Sequence, residues 1–230
     1  TGHTNTAVGQ QALLSNVDGF RNTALGNDTL RSNTQGVENV AVGSFALDLS
    51  TTASNNVALG FNSLNACTTG GGNTAVGSNA GKSVTTAVNI CAVGSTCLDA
   101  VTTGVSNTGV GNGALSTVTT HYDNVAVGTS AMGGATANQC VAMGHSALNL
   151  STGSNNTAIG NRALTQNTSG TENTAVGGFA LDANTTANYI TAIGYNCLSN
   201  NTTGSNNTGV GRSALLANAT GNNNTAVGFN

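Results

Sequence analysis

The side chains with the widest chemical repertoire in this 230-residue chain are few and scattered. His3, His121 and His145 could ligate a metal or shuttle a proton, but they share no common spacing and form no metal-ligand pattern; solvated loop positions are expected for all three. Cys67, Cys91, Cys97, Cys140 and Cys197 form an odd set with no Cys-x-x-Cys pair and no nearby pair of histidines. They are read as small, semi-apolar packing residues rather than a disulfide framework. Serines are abundant, but none has a positioned histidine or acid to activate it as a nucleophile. Gly70-Gly71-Gly72-Asn73 has the glycine density of a phosphate loop, but no Gly-Lys-Ser/Thr follows, so a turn is expected. These residue types and spacings predict no catalytic, cofactor-binding or metal site, and hence no enzyme and no cofactor.

The bulk composition narrows the classes further. Charged residues make up 6% of the chain and aromatics 3%, proline and tryptophan are absent, and the net charge is −3. A chain neutralising a phosphate backbone would carry a basic stripe, whereas the five Lys and Arg here stand singly, so no nucleic-acid partner is expected. No apolar run approaches a membrane span and no signal-like segment opens the chain, so no membrane insertion is expected in this stretch. Val, Leu and Ile remain plentiful, which separates the chain from disordered segments.

What organises the sequence is a fixed period. Glycines that end an Asn-Thr-Ala-Val-Gly motif fall at 9, 26, 43, 60, 77, 94, 111, 128, 144, 160, 177, 194, 211 and 228. Eleven of the thirteen intervals are 17 residues and two are 16, a spacing that specifies stacked supersecondary units. Counted from its Asn, one coil reads N-T-A-V-G-x-x-A-L-x-x-x-T-T-G-x-x, as in Asn56 to Gly72. Asp48, Asp99 and Asp182 share position 10 of this coil but lie three and five coils apart, too far to act as an acid–base pair. The closely repeated Gly-Gly-x-Gly-x-Asp units of calcium-binding rolls are absent.

Each position carries a physical expectation. Position 4 is always Val, Leu, Ile or Met, and position 9 is Leu or Met in twelve of thirteen coils, so these two columns are expected to be the apolar core. Position 3 is Ala in twelve coils and Gly at Gly109 and Gly209, which places a ceiling on volume there, either deep in each coil or at an axis between chains. In an extended strand, positions 1 and 3 face one way and positions 2 and 4 the other. Gly at position 5 marks a tight bend, and Gly or Ala at position 15 another. Asn at position 1, present in eleven coils, is expected to form a hydrogen-bonded ladder along the stack or to satisfy turn backbone groups. The two 16-residue coils lose their residue in the variable segment after the Leu. Asn22 to Gly77 is echoed by Asn156 to Gly211 at an offset of 134 residues, the mark of a duplicated eight-coil block.

The expected fold is therefore all-β: residues 1–230 form a single β-solenoid domain, a parallel β-roll of about 14 coils, one 17-residue repeat per coil. With strands ~4.8 Å apart, such a stack is roughly 65 Å long. The core is thin and lacks aromatics, so side-by-side packing of several chains is expected to contribute to stability. Polar capping repeats are absent, and the ends are expected to stack on further copies or domains.

The Asn-[Thr/Val]-Ala-[Val/Ile/Leu]-Gly motif, clearest at Val40-Ala41-Val42-Gly43, Val57-Ala58-Leu59-Gly60 and Val125-Ala126-Val127-Gly128, resembles the YadA-like head repeat of trimeric autotransporter adhesins. It is also similar to related repeats in phage and algal-virus tail-fibre proteins. The resemblance covers the whole chain and departs in the longer 17-residue coil with its Thr-Thr-Gly segment. It implies a left-handed roll, a homotrimer wound about one axis, and a non-catalytic structural or adhesive fibre segment. It further implies exposure outside the cell, on a cell surface or on a virion. The implied partners are the chain itself, side by side and head to tail, and a host surface receptor or glycan. A reading from another class is an ice-binding solenoid, since Thr at position 2 in nine coils and Thr-Thr at positions 13 and 14 form ranks along the stack.

Overall fold

The computed structural model describes residues 2–230. Among them the regular elements are fourteen three-residue strands, one per coil, and no helix. They are Thr6–Val8 (β1), Thr23–Leu25 (β2), Val40–Val42 (β3), Val57–Leu59 (β4), Thr74–Val76 (β5), Cys91–Val93 (β6) and Thr108–Val110 (β7), then Val125–Val127 (β8), Val141–Met143 (β9), Thr157–Ile159 (β10), Thr174–Val176 (β11), Thr191–Ile193 (β12), Thr208–Val210 (β13) and Thr225–Val227 (β14). The chain divides into two compact units, one ending at His121 and carrying β1 to β7, the other running from Tyr122 to Asn230 and carrying β8 to β14. The fold is a parallel β-solenoid with a 17-residue repeat.

In each unit the strands pair with their sequence neighbours in parallel and in register, residue for residue: Thr74 with Cys91, Ala75 with Ala92, Val76 with Val93, and likewise Thr174 with Thr191, Ala175 with Ala192, Val176 with Ile193. Strands of three residues are short because hydrogen bonding between coils does not end with them. The position-9 amide of Leu30 donates to Ala46 O one coil on (3.1 Å), and the position-13 amide of Thr34 donates to Thr51 O (2.9 Å). Most of the coil is thus a ladder, with turns where a sheet would have strands.

The strand turns inward the face that carries Asn and Ala. From Ala24 to Ala92 in the first unit and from Ala126 to Ala192 in the second, every position-3 Ala is fully buried, as are the position-9 Leu side chains from Leu30 to Leu64 and from Leu148 to Leu198. Position 4, expected in the core, instead points out of the coil: Val110 is 37% exposed, Met143 41% and Ile193 40%. The reason is volume. A Cβ built on Gly109 would stand 2.5 Å from Cys97 Sγ and 3.4 Å from Leu98 Cδ1, so positions 8 and 9 of the preceding coil already fill the interior opposite position 3. Leucine takes the inside of a narrow coil and leaves room for no more than a methyl across from it. The larger aliphatic of the strand therefore lies on the outer face.

The corner glycines divide by mechanism. Position 5 requires the left-handed half of backbone space: Gly43 has φ of 120°, and a Cβ there would lie 2.7 Å from the Gly60 carbonyl oxygen stacked above it. Position 15 has no such dihedral. It is Gly or Ala in every coil but that of His121, and at the glycines the next coil's carbonyl comes close: a Cβ on Gly70 would lie 2.2 Å from Ala87 O. Three further positions adopt left-handed φ with a residue other than glycine in all but one coil each, exemplified by Phe45 at 61°, Leu47 at 52° and Asn55 at 61° for positions 7, 9 and 17; the exceptions are Gly113, Gly81 and Gly72. The shortened coils omit position 14, an exposed turn residue in full-length coils such as Thr52 and Thr186; in the coil of Cys140, Thr152 is followed directly by Gly153.

Two columns of asparagine hold the turns. At position 1, Asn39 Nδ2 donates to Ala53 O (2.9 Å) and to Asn22 Oδ1 (3.0 Å), while its Oδ1 accepts from the amide of Asn56 (3.0 Å). Each amide side chain therefore ties its own coil shut and reaches the next. A second column, at position 12, was not singled out by the sequence reading. Asn33 Nδ2 donates to Asn16 Oδ1 (2.8 Å) and Gly36 O (3.1 Å), and Asn184 repeats this with Asn167 Oδ1 (2.7 Å) and Ala187 O (3.2 Å).

Candidate interaction surface

The outer face of each ladder is built from positions 2 and 4. In-register pairing stacks Val76, Val93 and Val110 in one line and Thr74, Cys91 and Thr108 in the next. In the second unit Ile159, Val176 and Ile193 stack beside Thr157, Thr174 and Thr191. No charged residue stands at position 2 or 4 of any coil. The result, unit by unit, is a flat, uncharged strip of half-exposed aliphatic and threonine side chains. Its backbone groups are consumed by the parallel ladder, so only side chains are offered to a partner.

The position-13 threonines are occupied differently. Thr51 Oγ1 donates to Thr68 O (3.1 Å), Thr85 Oγ1 to Thr102 O (3.1 Å), and Thr168 Oγ1 to Thr185 O (2.8 Å). These hydroxyl protons are committed to the next coil's carbonyls.

The residues with catalytic or ligating chemistry are not gathered. His3 is exposed and stacks on Phe20 at 5.3 Å between ring centroids. His145 is exposed on a turn, and His121 is half-buried in the position-15 column, where its carbonyl accepts from Asn107 Nδ2 (2.7 Å). Asp48 is held by Arg31 through Nε at 2.9 Å and Nη2 at 3.2 Å. Asp99 and Asp182 occupy equivalent places in other coils. Burial pushes all three carboxyl groups above the usual carboxylate range, with the Arg31 charge opposing this at Asp48, Lys82 at Asp99 and Arg162 at Asp182.

All five cysteines are free thiols. Cys67, Cys97, Cys140 and Cys197 are buried inside the coil. Desolvation pushes Cys67 up to about 11 and Cys97 up to about 12, which keeps both as inert thiols. Cys140 stands in the position-1 asparagine column and keeps part of its role, its amide donating to Asn124 Oδ1 (3.0 Å). Cys91 alone lies on the outer strip, half-exposed between Thr74 and Thr108.

No group of three or more His, Cys, Asp or Glu among the described residues is placed to hold a metal ion, and no helix is long and apolar enough to cross a membrane. Comparison of the chain with protein-family models, with curated proteins and with solved structures returns no match.

Proposed function

We propose that the chain is a non-catalytic structural segment of an extracellular fibre, displayed on a cell or virion surface, which assembles as a homotrimer through the outer strips of its strands. The observation that carries this reading is the position-4 column, aliphatic in every coil yet left half-exposed. Monomeric soluble proteins rarely leave contiguous apolar surface of this kind uncovered. A second strip of the same chain is its natural cover, because identical repeats place aliphatic against aliphatic at each level without any charge to bury. The motif's resemblance to the YadA-like head repeat supports the same arrangement.

The ice-binding alternative would have to use this strip as well, since the position-13 hydroxyls already donate to carbonyls. Its threonine rank is interrupted by Val40, Val57, Cys91, Val125 and Val141, which favours the self-association reading.

Cys91 makes the test direct. The native protein is expected at about three times the 22.5 kDa chain mass in solution. A short bifunctional thiol reagent should link copies through Cys91, and Val76→Lys with Val93→Lys should return the protein to single chains that keep their β-structure. A single-chain mass at all concentrations, with no linked species, would sink the trimer. Thermal hysteresis in the purified protein would favour the ice-binding alternative.

A further inference from the structure

Five of the chain's eight aromatic residues stand at positions 6 and 7, the turn that follows each strand. In the second unit they join two arginines in a single file, one side chain per coil over five consecutive coils: Arg162, Phe179, Tyr195, Arg212, Phe229. Arg162 lies over the Phe179 ring at 5.6 Å, Phe179 and Tyr195 meet edge to face at 6.0 Å, and Arg212 sits between Tyr195 at 5.9 Å and Phe229 at 5.5 Å. Tyr195 and Phe229 are 49% and 68% exposed, and both arginines are exposed. At one strand spacing per coil the file is about 19 Å long.

Two features separate these arginines from the others. In the first unit Arg21 pairs with Glu38 at 2.8 Å and Arg31 with Asp48 at 2.9 Å, whereas neither Arg162 nor Arg212 forms an ion pair among the described residues. Asp182 feels the charge of Arg162 without closing on it. The duplication also supplies an internal comparison. At the 134-residue offset Phe179 and Tyr195 correspond to Phe45 and Phe61, which meet in the same edge-to-face manner at 5.9 Å. Arg162 and Arg212, however, correspond to Asp28 and Ser78. The ring pair is common to both units, and the cations belong to one.

We infer that this file is a binding surface for an acidic oligosaccharide, a sugar chain bearing carboxylates. Exposed rings offer flat apolar faces to the C–H faces of pyranose units, and guanidinium groups pair with carboxylates in a bidentate geometry. The repeated spacing suits a ligand that is itself a repeat. A peptide strand is disfavoured, because the turn's backbone is already used: the amide of Phe179 donates to Asn161 O (2.9 Å), that of Asn196 to Gly178 O (3.0 Å) and that of Ser213 to Tyr195 O (2.9 Å), leaving no open edge to extend. Two cations are too few to neutralise a nucleic-acid backbone. The proposal names the ligand class of an adhesive segment and is independent of the trimer, since the file lies on the turn and not on the outer strip.

The test is calorimetric titration of the full chain with an oligogalacturonate and with its methyl ester. The acid is expected to bind with one site per chain and the ester at least tenfold more weakly. Arg162→Gln with Arg212→Gln, and separately Tyr195→Ala, should each weaken binding of the acid at least tenfold while the melting temperature and the solution mass stay unchanged. Asp28→Arg with Ser78→Arg should raise the stoichiometry to two. No binding of the acid, equal binding of the ester, or retention of affinity in the double arginine variant would each overturn the proposal. A fall in solution mass for the arginine variant would overturn it in favour of a contact between copies.

Discussion

At the scale of single residues, the interior of the coil is a volume equation that the chain solves twice. Position 8 is Ala in nine coils and otherwise Thr29, Ser63, Cys97 or Cys197, and at the two cysteines position 3 of the next coil packs against it. Where position 8 becomes the larger Cys97, position 3 twelve residues on becomes Gly109, and Cys197 is followed in the same way by Gly209. A Cβ on either glycine would come within 2.5 or 2.6 Å of the sulfur. The duplicated block shows the same trade, since Ser63 and Ala75 stand where Cys197 and Gly209 stand 134 residues later. Gly109→Ala is therefore expected to destabilise the chain by about 1–3 kcal/mol through overpacking. Adding Cys97→Ala should recover most of that loss, because the pair then matches the usual Ala and Ala. Denaturant unfolding of the two single variants and the double variant measures the coupling, and strict additivity would show that these two side chains do not share a space.

At the scale of the coil, hydrogen bonds rather than bulk fix the path of the backbone. Asn56 is fully buried; its Nδ2 donates to Gly70 O (3.0 Å) and Asn39 Oδ1 (3.2 Å), and its Oδ1 accepts from the amide of Asn73 (2.9 Å). Asn56→Ala strands buried polar groups in two coils, with an expected cost of about 2–5 kcal/mol. Asn161→Ala, on an exposed turn position, should stay within about 0.5 kcal/mol. Equal losses in chemical unfolding would contradict the ladder. This column, the period, the strand and the position-5 corner were all legible in the sequence, because each depends on one residue type recurring at one spacing. The facing of the strand was not. Val at position 4 is the more apolar residue and reads as core, but the inside is set by what fits opposite Leu, which is a property of the closed coil and not of the strand. The left-handed backbone at Leu47 and Phe45 was equally hidden, since neither residue type prefers that conformation and stacking imposes it. Position 12 did carry a usable signal: it is Asn, Ser, Cys, Val or Ala throughout and never charged, the composition of a buried half-polar column. The arginine and aromatic file was visible as numbers at positions 6 and 7, yet only the ring and guanidinium distances turn it into a surface.

At the scale of the whole molecule, a stack in which each coil binds only its neighbours should tolerate changes in length that no globular core would accept. Its stability is a sum of coil terms and interface terms between neighbouring coils. Excising Asn173 to Tyr189 removes one complete 17-residue coil. The join then places Glu172 before Ile190, so that Ala158 meets Ala192, Ile159 meets Ile193 and Leu164 lies next to Leu198, with every column continuous. The shortened chain is expected to fold with unchanged β-structure per residue and a modestly lower midpoint. Excising only Asn173 to Ala180 removes about half a coil and sets strand residues against turn residues, so that Leu181 and Leu198 enter the position-1 column while Ile190 and Asn207 fall one place beyond the leucine column. That variant should lose the cooperative transition of the second unit. Circular dichroism and thermal melting of the two deletions decide the matter: if the half-coil deletion melts like the full-coil one, then register between like positions is not what holds the chain together, and the assignment of the outer strip as an assembly surface falls with it.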